Sequence, residues 1–184
     1  MSYELPENVE IDGVLYEIRS DYRAALDICT ALSAPELSGE EKAAAALTIL
    51  YPAFGSAMPP QHFAQAIREL YRFLNGGADE PDGRPQPRLV DWEQDFPLIA
   101  APVNRIVGCE IRALPYLHWW TFLAAYQEIG DCTFAQVVGI RSKQARGRPL
   151  DKQERAFYRQ NRKFVDFRRA YTQAEETTLR EWGV

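Results

Sequence analysis

The side chains with chemical potential in this 184-residue sequence are two histidines, three cysteines and a short acidic run. His118 stands directly before Trp119 and Trp120, where an imidazole could serve as an acid–base group or a metal ligand. His62 lies on a different predicted helix, and no HxxE, HExxH or Cys/His spacing surrounds either histidine. His118 therefore reads as a capping or hydrogen-bonded core residue. Asp91, Glu93 and Asp95 in DWEQD could chelate a hard cation, but their spacing is not that of an EF-hand loop. Helix caps and a solvated first turn account for them more simply. Ser56 in FGSAM does not fit the GxSxG nucleophile elbow, and neither GxxxxGK[ST] nor GxGxxG occurs. Cys29, Cys109 and Cys132 are odd in number, lack CxxC spacing, and read as reduced residues on apolar helical stripes. The residues thus predict no enzyme, no metal and no cofactor.

The histidine and tryptophans belong to the stretch around which the chain is organised, residues 113–141, ALPYLHWWTFLAAYQEIGDCTFAQVVGIR. At about 3.6 residues per turn, Trp119, Phe122, Leu123 and Tyr126 make one stripe, and Leu117, Trp120 and Ala124 a second beside it. A helix apolar over that much of its girth is one buried among other helices. Gly130 is placed to end it, and Asp131 to cap a short follower carrying Phe134, Val137 and Val138.

The remaining elements are set by turn and cap signals. Residues 9–18, VEIDGVLYEI, alternate around Asp12-Gly13, which predicts a type I′ hairpin pairing Ile11 with Val14 and Val9 with Tyr16. Ser20 or Asp21 caps a helix bearing Tyr22, Ala25, Leu26, Cys29 and Leu32. Ser38 and Glu41 form a capping box before an alanine-rich helix that Pro52 stops, and Pro60 opens a third helix. Residues 76–90 are rich in proline and glycine and predict an exposed loop. Asp95 is placed to cap a helix in which Pro102 predicts a kink. Asp151 and Glu154 form a second capping box, opening a basic helix that the pattern extends to about Leu179. The prediction is a mainly α, single helical domain over residues 1–184. It has six to seven helices, a small N-terminal β-hairpin and a long basic C-terminal helix within an arm at 142–184. A chain of this length buries roughly 70% of its unfolded surface, so disulfides are not required.

Charge divides the chain. Residues 141–169 hold eleven Arg or Lys against three acids, +8, whereas residues 1–140 hold nine against twenty, −11. On the C-terminal helix Arg155, Arg159, Arg162 and Arg169 share one face, and Phe157, Phe164 and Tyr171 recur on another. Such a helix gains stability by docking, and these residues are the candidate partner-binding set. Phosphate neutralisation with aromatic stacking is the competing reading. The acidic remainder opposes a polyanion, so nucleic acid is disfavoured. No run of about 18 apolar residues occurs and the first ten residues are acidic, which argues against a membrane span or secretory signal.

The order of motifs is more specific than any one of them. YEIRSDYR after the hairpin, ILYP, WEQD before IAAPV, LHWWTF at 117–122 and GIR at 139–141 followed by basic residues resembles the bacteriophage gene-product-fifteen family. That family is encoded among the tail genes of long-tailed phages and prophages. The resemblance runs over about residues 9–165. Tyr16, Asp21, Arg23, Tyr51, Pro52, Asp95, His118, Trp119, Trp120, Phe122 and Arg141 fall at its recurring positions, with His118, Trp119, Trp120, Phe122 and Arg141 as its structural signature. Val103 stands where an aromatic is expected, and the basic arm is longer. The resemblance implies a tail assembly chaperone in the host bacterial cytoplasm. Such a protein binds the tape-measure protein, with the tail tube protein as a further partner; a second copy of the chain is the other dock the basic helix itself suggests. A structural tail or connector subunit retained in the virion is the alternative it leaves open.

Overall fold

The computed structural model describes residues 4–78 and 87–168. Two strands, β1 (Asn8–Ile11) and β2 (Val14–Glu17), form an antiparallel hairpin in the expected register, with Val9 opposite Tyr16 and Ile11 opposite Val14. Asp12 and Gly13 adopt φ of 49° and 78°, the two positive values a type I′ turn demands. Ile11 and Tyr16 are buried on the helical side, while Val14 and Leu15 are exposed at the tip. A two-stranded ribbon is marginal alone. This one is tied down by the Tyr16 hydroxyl on His62 Nδ1 at 2.8 Å and by the Arg19 N–H donating to Leu50 O.

Seven α-helices follow among the described residues: α1 (Tyr22–Ser33), α2 (Gly39–Leu50), α3 (Phe63–Leu74), α4 (Trp92–Val107), α5 (Trp119–Gln127), α6 (Thr133–Ala145) and α7 (Lys152–Val165). The mainly helical class with one small hairpin is as the sequence predicts. Asp21 caps α1, and Ser38–Glu41 and Asp151–Glu154 form reciprocal capping boxes on α2 and α7. Helices α1 to α5 enclose the main core. Tyr22 stacks on Phe122 with ring centroids 5.0 Å apart, and Trp119 stacks on Phe122 at 5.5 Å. A smaller core joins Val137 and Ile140 of α6 to Val165, with Leu98, Leu150, Phe157, Tyr158 and Phe164 around it.

Several boundaries differ from expectation. The cap of α4 is Asp91, whose carboxylate accepts from Gln94 N, and Asp95 is instead buried within the helix. Pro97 and Pro102 both lie inside the span of this helix. Helix α5 ends at Gln127, before Gly130, and the side chain capping α6 is Cys132 rather than Asp131. Cys109 lies exposed in the turn after α4, off any helical stripe. Helix α7 stops at Val165, well short of Leu179, because its last carbonyls are taken by other partners and Asp166 turns extended (ψ 133°). Arg169 and Tyr171 lie outside the described residues, as does most of the predicted 76–90 loop.

Candidate functional site

The His-Trp-Trp segment is a structural junction. His118 caps α5, with Nδ1 accepting from Trp120 N at 3.0 Å, so the ring proton sits on Nε2 and donates to Pro6 O at 3.0 Å. Its backbone forms an isolated antiparallel bridge with Asp21, flanked by Tyr22 N on Leu117 O and Trp119 N on Ser20 O. Asp21 has three tasks: it caps α1, accepts from Leu117 N at 3.0 Å and pairs with Arg23. The two indoles reach the other way. Trp119 Nε1 donates to Leu74 O at 3.0 Å and Trp120 Nε1 to Phe73 O at 2.9 Å. Carbonyls at the C-terminus of a helix lack intrahelical donors, and two consecutive tryptophans supply them here. Trp120 is half-buried, and its ring lies over Gly77, where φ is 89° and an added Cβ would meet Trp120 Cη2 at 2.9 Å.

The second junction surrounds Arg141, which is 3% exposed. Its Nη1 and Nη2 meet both carboxylate oxygens of Asp95, at 2.6 and 2.9 Å. Nε donates to Val165 O, Nη2 also to Phe164 O, and Nη1 also to Leu89 O. All five guanidinium protons are thereby used. The Phe167 ring covers the cation, with its centroid 4.1 Å away. Gln94 completes the clamp, donating to Asp166 O and accepting from Arg168 N. The carbonyls that would have continued α7 are therefore spent on Arg141, and residues 164–168 are strapped across α4 and α6.

The two junctions join seven of the positions quoted for the family resemblance: Asp21, Arg23, His118, Trp119 and Trp120 in the first, with Asp95 and Arg141 in the second. Sequence spacing shows Asp95 and Arg141 separately but not their pairing, and it gives no sign of Gln94 as a bracket for the strap. The glycine pair Gly76-Gly77 after a helical pattern was the available clue to the tryptophan shelf.

The candidate partner-binding residues divide between two surfaces. Phe157 and Phe164 are half-buried in the smaller core, so they hold α7 to the body. Arg155 and Arg159 are exposed and meet no counter-charge among the described residues, while Arg162 pairs with Asp166 at 2.8 Å. Three groups suited to reaction chemistry are buried or hydrogen-bonded within the fold. His62 is held by Tyr16, burial pushes the Cys29 thiol up to about 12, and burial also raises the Tyr51 phenol, which donates to Ala66 O. Among the described residues no three His, Cys, Asp or Glu side chains gather as a metal site, and no helix is long and apolar enough to cross a membrane. A family model described as Bacteriophage Gp15 protein matches residues 1–167. No curated protein and no solved structure matches the chain.

Proposed function

The chain belongs to the Bacteriophage Gp15 protein family, and from that premise we propose that it is a tail assembly chaperone. In this reading it works during tail morphogenesis in the host cytoplasm, keeping the long helices of the tape-measure protein soluble. The tail tube protein is the second partner this places nearby. The observation that carries the reading beyond the family is α7. Its aromatic face is docked on α6, while Arg155 and Arg159 are exposed and meet no counter-charge among the described residues. A cationic pair on a helix docked by its other face, above an acidic chain, suits orienting a protein partner by charge. The role is non-enzymatic, with both histidines held in structural hydrogen bonds.

Co-expression tests it. The tape-measure protein should be recovered soluble and in complex only when this chain is present. Mass spectrometry of purified virions should find the chain absent or strongly depleted. Retention at fixed stoichiometry in the particle, without a soluble tape-measure complex, would select the structural-subunit reading instead.

A further inference from the structure

An open groove of about 860 Å³ runs between the hairpin, α1 and the end of α2. Its floor includes Ile18 and Ile49, and its rim carries Glu7, Glu17, Asp21 and Asp27 against Arg19 and Arg23. The cations have internal tasks. Arg19 Nη1 donates to the C-terminal carbonyls of α2, Thr48 O and Ile49 O, both at 2.9 Å. Arg23 is spent on Asp21 and on Leu114 O at 2.7 Å. Glu7, Glu17 and Asp27 are exposed and meet no cation among the described residues. The chain therefore presents a mainly anionic groove at one place and, at another, the cationic pair Arg155 and Arg159, which meets no counter-charge among the described residues.

We propose that the groove between the hairpin and α1 receives the exposed basic face of α7 from a second copy of this chain. The occupant must come from another molecule. A chain's own α7 is held on α6 by the smaller core, and its end by Arg141, which donates to Val165 O and Phe164 O, so it reaches the groove only by breaking both. Arg155 and Arg159 are one turn apart, about 6 Å along the helix axis. A helix laid in the groove then sets this pair between carboxylates supplied by the hairpin and by α1. The surfaces are unlike, so the contact is head-to-tail and builds on itself unless two copies exchange helices and close a dimer. The inference rests only on the α7 row being a protein-docking face. It requires no tape-measure protein.

The test uses the purified chain alone, by sedimentation over a range of concentration and salt. Native protein should self-associate at low salt and dissociate as screening shortens the Debye length, with the apparent Kd rising at least tenfold from 50 to 500 mM salt. The groove triple variant Glu7→Lys, Glu17→Lys, Asp27→Lys and the helix variant Arg155→Glu, Arg159→Glu should each be monomeric, with native circular dichroism and melting. All five positions are exposed, so folding should survive the changes. Mixed one to one, the two variants should associate again, because each then offers the charge the other lacks. A native chain that stays monomeric at low salt would overturn the proposal. So would association indifferent to both charge reversals, or variants that fail to re-associate on mixing. A tape-measure complex formed by a chain that remains monomeric would reject this contact and leave the chaperone reading standing.

Discussion

Replacing Arg141 with methionine probes the strap that ends α7. The substitution leaves Asp95, with a side chain 1% exposed, facing no counter-charge. Breaking a buried pair from one side costs about 3–5 kcal/mol, because the remaining charge is desolvated without compensation. The carbonyls of Leu89 and Val165 lose their side-chain donor as well, and Phe164 O keeps only Gln94 Nε2 at 3.5 Å. Each loss is worth about 1 kcal/mol. These contributions share one guanidinium and do not add in full, so a loss of about 4 kcal/mol is expected. Arg141→Lys should fall between, since an ammonium has three donors and no fork to engage both carboxylate oxygens. Urea unfolding followed by tryptophan fluorescence measures the order native, lysine, methionine. Limited proteolysis should show new cutting at the 164–168 strap in the methionine variant. The charge account makes a sharper demand. With Asp95→Asn already in place, Arg141→Met should cost about 2 kcal/mol less than in the native chain, because no buried carboxylate is orphaned. If methionine at 141 costs under about 1 kcal/mol, or the same with either residue at 95, the ion pair does not hold the strap as described.

Gly77→Ala should destabilise by about 1–3 kcal/mol, from left-handed backbone strain together with the Trp120 contact. Gly13→Ala, where φ is 78° but nothing lies within 4 Å, should cost less, and thermal melts compare the two directly. Trp119→Ala should cost about 3–5 kcal/mol by emptying the core beside Phe122. Near-native melting in that variant would refute the core placement. In the folded chain Ellman's reagent should modify exposed Cys109 quickly and Cys29 slowly, because burial pushes the Cys29 thiol up to about 12. Urea should abolish the difference. The Arg112 guanidinium and backbone N–H donate to Glu110 and hold its carboxyl at about 2, well below the usual carboxylate range. A depressed carboxylate stabilises the fold above its unfolded pKa, and that contribution is lost as pH falls from about 4.5 toward 2. A carboxyl resonance titrating with a midpoint near 4.5 would contradict the pairing.

What the sequence discloses here is what is local. The Asp12-Gly13 turn, the Ser38–Glu41 and Asp151–Glu154 boxes and the apolar stripe of α5 depend on residues a few positions apart, and each is legible from spacing. The errors arise where a distant group outbids the local signal. Asp95 has the right type and place to cap α4, yet Arg141 reaches it from α6, and Asp91 takes the cap. The pattern of α7 continues past Val165 with no glycine or proline to stop it. It ends because Arg141 and Gln94 take the polar groups the next turn would have used. The tryptophans were legible as a buried stripe but not as donors to the end of α3, since nothing in their spacing says where Phe73 and Leu74 lie. The partner-binding set divides for a related reason. Helical periodicity separates Arg155 and Arg159 from Phe157 and Phe164, but only tertiary packing decides which face is spent on the chain's own body. The aromatic face is spent there, while Arg155 and Arg159 are exposed and meet no counter-charge among the described residues.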